Sequence, residues 1–250
     1  MSLLTPMLRS SPLTDWFSDA QRVQGMLDFE AALAQAQAAC GMVPPEAVGP
    51  IVAACRHEAI DFAALGEAAV GAGNLAIPLV KQLTAQVKAR DPEAARYVHW
   101  GATSQDAIDT GLVLQLRGAL DAAETLLEQL LAALALQADR YRDTVMPGRT
   151  WMQHALPVTF GLKLAGTLDA LLRWQQRLRE MRPRLLALQF GGAAGTLDAA
   201  KRERAGGLAW RWRRSSVCRC RILRGTASAI GCWRRAPGLP GVCGTLGKFR

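Results

Sequence analysis

The chain of 250 residues contains only two tyrosines, three histidines and six cysteines, and aromatic residues make up 6% of it. Before residue 200 the only cysteines are Cys40 and Cys55. Cys218, Cys220, Cys232 and Cys243 have neither metal-ligand spacing nor a nearby histidine. That pattern supports neither a zinc site nor a disulfide framework, so no metal and no cofactor is expected. No apolar run approaches the roughly 20 residues that span a bilayer, and the N-terminus lacks the basic region and apolar stretch of a secretory signal. The expectation is therefore a cytoplasmic protein with no membrane partner.

Acidic residues are almost missing from one end. Residues 1–200 hold 17 basic and 20 acidic side chains, whereas residues 201–250 hold 13 basic side chains and a single acid, Glu203. The overall charge of +9 thus belongs to the tail, and the mildly acidic body gives no argument for a nucleic-acid partner.

The body is rich in Ala, Leu, Gln and Glu, a helix-forming composition. After Thr14-Asp15, apolar residues at Trp16, Val23, Met26, Leu27, Ala31, Leu33 and Ala34 follow helical spacing, which stops at Gly41 ahead of Pro44-Pro45. Shorter helices are expected at about 45–55 and 60–70, then an interruption at Gly71-Ala-Gly-Asn-Leu-Ala-Ile-Pro78, then a helix to about Arg90. From Ser104 to about Arg142, Ile108, Leu112, Leu116, Leu120, Leu127, Leu130, Leu131 and Leu134 recur every three or four residues without a proline. Met146-Pro147-Gly148 reads as a break, and a second long helix is expected from Pro157 to Leu188, kinked or ended by Pro183. The fold class is all-α: an N-terminal helical domain (1–100), the first part of an elongated bundle of long helices (101–200), and an irregular basic tail (201–250).

Two segments concentrate polar chemistry at the expected mouths of the long helices, where unpaired backbone N–H groups favour anions. The first runs from Tyr97 to Thr110 and carries His99, Thr103, Ser104 and Asp106; the second runs from Gly148 to Gly161 and carries Arg149, Thr150, Trp151, Gln153 and His154. Hydroxyls, an amide and a guanidinium suit a carboxylate pocket, and histidine titrates in the range useful for moving protons. Simpler roles compete at each position. Thr103-x-x-Asp106 matches a capping box, Arg149 suits a structural ion pair, and His99 beside Trp100 suits a packed core histidine.

These segments, with Gly73-Asn-Leu-Ala-Ile-Pro-Leu-Val80 and Phe190-Gly-Gly-Ala-Ala-Gly-Thr196, resemble the fumarase/aspartase superfamily over roughly residues 5–200. Thr103-Ser104-x-Asp106 and Gly148-Arg-Thr-x-x-Gln153 are similar to its first and second signature regions. Where several lyases of the superfamily carry histidines, this chain has Trp151 and Asn74, as does the cycloisomerase branch that lactonises 3-carboxymuconate. The resemblance implies a small tricarboxylate substrate, catalytic roles for His99 and His154, and substrate contacts from Asn74, Thr103, Ser104, Arg149, Thr150, Trp151 and Gln153. It also implies a homotetramer in a full-length relative.

The superfamily's third signature, a serine-bearing mobile loop, has no counterpart here, so little activity is expected of this chain alone. The tail, with Trp210-Arg-Trp-Arg-Arg214 and Cys232-Trp-Arg-Arg235, reads as out-of-frame translation after about residue 208. Codons can be chosen for Cys220 to Arg235 that, shifted by two bases, encode a stretch similar to the family's next block, which is consistent with that reading. Two other readings stay open: an adenylosuccinate-type lyase that releases fumarate, and a non-catalytic helical remnant with a nucleic-acid-binding tail.

Overall fold

The computed structural model describes residues 11–195 and the backbone of residues 221–223. The remainder of the tail, Thr196 of the fourth quoted segment and the first residues of the resemblance lie outside the described residues. The described chain is helical, as expected, with two small two-stranded sheets added.

Six α-helices follow in order: α1 (Asp19–Ala39), α2 (Pro45–Ala54), α3 (Phe62–Ala72), α4 (Ala76–Arg90), α5 (Ser104–Arg140) and α6 (Phe160–Leu185). Local chemistry sets several of the boundaries. The Ser18 side chain accepts from Gln21 N–H at 3.3 Å at the start of α1, and Asp61 accepts from Ala64 N–H at 3.0 Å at the start of α3. Gly73 ends α3 in the left-handed conformation, φ +72°. Asn74 Oδ1 accepts from Ile77 N–H at 3.0 Å, so this side chain caps the opening of α4.

The second polar segment departs from expectation. Instead of opening a helix at Pro157, it forms an antiparallel hairpin of β1 (Val145–Thr150) and β2 (Gln153–Thr159), and α6 begins only at Phe160. Pro147 and Pro157 sit opposite one another in this two-stranded ribbon, where both strands are edges and a missing N–H costs little. The register shifts between Pro147 and Arg149, and a Cβ on Gly148 would lie 2.5 Å from the Leu156 carbonyl oxygen, so this bulge position requires glycine. Pro183 falls in the last turn of α6 and does not break it earlier. The tail, expected to be irregular, contributes one short strand: β4 (Arg221–Leu223) pairs parallel with β3 (Ala187–Gln189).

The described residues divide into two compact units, one of 11–119 with 183–195 and 221–223, the other of 120–182. In the first, Val23, Met26, Leu27, Phe29 and Leu33 of α1 pack into one core with Ile51, Leu65, Leu79, Leu83, Val87 and Val113. Each large side chain buried this way contributes about 1.5–3 kcal/mol. The backbones of α1 and α5 nearly touch, since a Cβ on Gly25 would lie 2.7 Å from the Gly111 carbonyl oxygen. The second unit has a smaller core of Leu127, Leu131, Leu134, Leu164 and Leu171, flanked by Tyr141 and Phe160 with ring centroids 5.3 Å apart. Arg179 bridges Glu124 at 3.1 Å and Glu128 at 3.2 Å, and Arg182 pairs with Glu124 and Asp121. No helix among the described residues is long and apolar enough to cross a membrane.

Candidate active site

The candidate residues fall on both units. Asn74, His99, Thr103 and Ser104 belong to the first; Arg149, Thr150, Trp151, Gln153 and His154 belong to the second.

In the first unit the centre of the arrangement is His99. Its backbone is left-handed, φ +57°, an uncommon state for a residue with a side chain. Two polar side chains of α1 hold the turn that contains it. Glu30 Oε1 lies 2.6 Å from His99 Nδ1, and Gln37 Nε2 donates to the Trp100 carbonyl oxygen at 2.7 Å. Glu30 is 2% exposed and Gln37 fully buried, and their separation of seven residues puts both on one face of the helix. Burial works against a charged His99 ring, but the Glu30 hydrogen bond and the charges of Glu30 and Asp106 outweigh it and raise its pKa above the ordinary 6.5.

Asp106 is completely buried, and its carboxylate accepts three backbone N–H groups. These come from Thr103 at 3.0 Å, Gly191 at 2.9 Å and Gly192 at 3.0 Å. The first bond is half of the capping box that the sequence suggests; the other two fasten the glycine-rich segment Gly191–Gly195 to the mouth of α5. Burial pushes the Asp106 carboxyl above its ordinary value, against the pull of those N–H groups and of His99. Deeper along α5, the Thr110 hydroxyl donates to the Gln189 carbonyl at 2.9 Å and accepts from Gln189 N–H at 3.1 Å. Thr103 and Ser104 themselves are half-buried.

In the second unit the hairpin sorts its candidates into cross-strand pairs. Arg149 is directly opposite His154, and Thr150 is directly opposite Gln153. Opposed residues share a face of a ribbon, so guanidinium and imidazole project together on one side and hydroxyl and amide on the other. Trp151 and Met152 form the two-residue turn, with φ +45° and +62°, and are 92% and 104% exposed. Positive φ at both turn positions is the type I′ pattern that favours Asn-Gly, which neither residue satisfies. An open groove of about 530 Å³ runs between the hairpin and the start of α6, with Arg149 and Lys163 beside apolar Met146, Leu156 and Leu162.

Sequence reasoning missed Glu30 and the partners of Asp106. Glu30 carries one readable signal: it falls on the apolar stripe Val23, Met26, Leu27, Ala34, where a solvated acid has no place. Among the described residues no group of three or more His, Cys, Asp or Glu side chains is arranged to hold a metal ion.

Comparison with known proteins agrees with this architecture. The family pattern described as lyase matches residues 8–211. A 3-carboxy-cis,cis-muconate cycloisomerase from Pseudomonas aeruginosa is 64% identical over 190 residues, covering 76% of this chain and 41% of that protein. One from Bradyrhizobium diazoefficiens is 56% identical over 197 residues, covering 79% of this chain and 44% of that protein. The crystal structure of the 3-carboxy-cis,cis-muconate lactonizing enzyme from Pseudomonas putida superposes with a TM-score of 0.90 at 49% identity, covering 99% of this chain and 57% of that one. The chain spans less than half the length of the two curated relatives. It belongs to the lyase family that includes these cycloisomerases.

Proposed function

We propose that this chain carries part of the active site of a 3-carboxymuconate cycloisomerase. In the reaction, one carboxylate oxygen of the substrate adds to a carbon of the double bond and closes a lactone. The π electrons move toward a second carboxylate, which becomes an aci-carboxylate, and a proton then reaches the adjacent carbon and regenerates the ordinary carboxylate. Such a path needs preorganised donors around developing negative charge and a proton donor at the carbon. Thr103, Ser104, Asn74, Thr150 and Gln153 are the proposed donors, Arg149 the charged partner of one carboxylate, and His99 and His154 the proton-handling groups. Trp151 is the proposed apolar wall of the pocket.

The observation that carries the reading is Trp151 itself. A bulky ring held in a backbone state suited to Asn or Gly, at the exposed tip of the hairpin, departs from local preference. Such departures cluster where function outweighs stability. The tryptophan also stands where histidine-bearing lyases of the superfamily keep a polar group, which favours intramolecular addition over fumarate release. The same reading places the enzyme in the cytoplasm and makes it a homotetramer at full length, in which other subunits and the missing signature complete the pocket.

The test compares this chain with a version extended to the length of its relatives. Ultraviolet loss of 3-carboxymuconate is followed beside fumarate release from adenylosuccinate. Turnover of the muconate by the extended version, with little by the 250-residue chain, is the expected result. Fumarate release without muconate turnover would replace this function with a lyase.

A further inference from the structure

We propose that Glu30 is the positioning residue for His99: its buried carboxylate fixes Nδ1 of the ring as a hydrogen-bond donor and reserves Nε2 for the substrate. The use made of Nε2 rests on the cycloisomerase reading; the state of the ring stands on the geometry alone.

Three observations converge on this pairing. Glu30 is 2% exposed within the apolar stripe of α1, and its Oε2 has no hydrogen-bond partner among the described residues. Among the described residues the His99 ring is thus the one hydrogen-bond partner of the buried carboxylate, through the 2.6 Å contact of Nδ1 with Oε1. A buried acid with half of its acceptor capacity unused is costly to keep for packing alone. Second, His99 is held at φ +57°, a backbone state that costs about 1 kcal/mol or more in a residue with a side chain. Third, Gln37, two turns along the same face of α1, grips the next residue through the Trp100 carbonyl at 2.7 Å. One helix face therefore fixes both the ring and the backbone beside it. The charged groups that bear on the ring are Glu30 from α1 and Asp106 from α5.

This arrangement decides which nitrogen is available. Nε2 of His99 has no partner among the described residues, so an imidazolium there keeps Nδ1–H on Glu30 and presents Nε2–H. In the proposed lactonisation, the Nε2 proton moves to the substrate carbon as the aci-carboxylate collapses. The ring becomes neutral with its remaining proton still on Nδ1, and Nε2 recovers a proton from solvent. A histidine without Glu30 relaxes to the commoner neutral form, with the proton on Nε2 and no fixed direction.

The chain's three histidines make this readable by nitrogen NMR of the full chain with ring-labelled histidine, the resonances assigned through His57→Asn and His154→Asn. The expected result is a neutral His99 ring protonated at Nδ1. In Glu30→Gln the titration midpoint of His99 falls and the proton shifts toward Nε2, while His57 and His154 are unmoved. A neutral His99 protonated at Nε2 in the unaltered chain would overturn the proposal, as would a Glu30→Gln chain with unchanged tautomer and midpoint. The unaltered chain alone decides the tautomer, so the test survives a Glu30→Gln variant that fails to fold. Absence of muconate turnover by the version extended to the length of the relatives, with the Nδ1-protonated ring intact, would count against the function and leave the positioning role standing.

Discussion

Two buried carboxylates give the first unit its polar framework, and each makes a stability prediction. Asp106 uses both oxygens to accept three backbone N–H groups from two separate stretches of chain. Asp106→Asn turns one oxygen into a donor that faces another donor, so it is expected to destabilise the chain by about 2–4 kcal/mol, read as a lower urea midpoint. His99 makes the second prediction. Its pKa in the folded chain lies above the ordinary 6.5, so the charged pair with Glu30 stabilises fully below that value. This stability is lost as pH rises through the raised folded value. Unfolding midpoints measured across that range should fall with rising pH, and His99→Asn should flatten the fall; an unchanged slope in the variant would contradict the assignment. His99 and the Thr103-x-x-Asp106 pattern are readable in the sequence because their signals are local. Glu30 is 69 residues from its partner, and no local spacing encodes that contact.

At the scale of elements, the helices follow the apolar periodicity closely, because core burial and the 3.6-residue repeat act on the same residues. The long helix expected from Ser104 to about Arg142 runs from Ser104 to Arg140. The hairpin escaped notice for a physical reason. Met146-Pro147-Gly148 reads as a break, and Trp151-Met152 is not a dipeptide that chooses a two-residue turn. Replacing the pair with Asn-Gly should therefore stabilise the hairpin, by about 0.5–1 kcal/mol per residue, in thermal unfolding. In the extended protein the same change is expected to lower muconate turnover on the order of tenfold through loss of the apolar wall. Stabilisation without loss of turnover would remove Trp151 from the pocket. The contact of α1 with α5 gives the opposite case. A Cβ on Gly111 would lie 2.9 Å from Met26 N and 3.1 Å from Gly25 C, both backbone atoms that cannot step aside. Gly111→Val should cost at least about 1–3 kcal/mol, measured as a lower urea midpoint.

At the scale of the molecule, the same helix lives in two environments. The part of α5 up to Ala119 belongs to a unit whose core draws on α1 to α5, whereas Leu120 onward belongs to a unit with a core of only a few leucines. That second unit also exposes Leu126, Leu136, Val145, Leu156, Leu162 and Leu172, apolar surface of the kind that packs against further helices. The contrast is one of local packing: the first core buries side chains from five helices, the second from α5 and α6 alone. Backbone hydrogen bonds open with a free energy set by the local packing around them, so a continuous helix need not be uniformly stable. Amide hydrogen exchange along α5 should therefore show protection that drops past residue 120, with residues 104–119 exchanging at least on the order of tenfold more slowly than residues 121–136. Extending the chain to the length of its relatives should raise protection mainly in the second half. Uniform protection along α5 in the 250-residue chain would mean that its second unit is already complete, and that the apolar surface on it has another purpose.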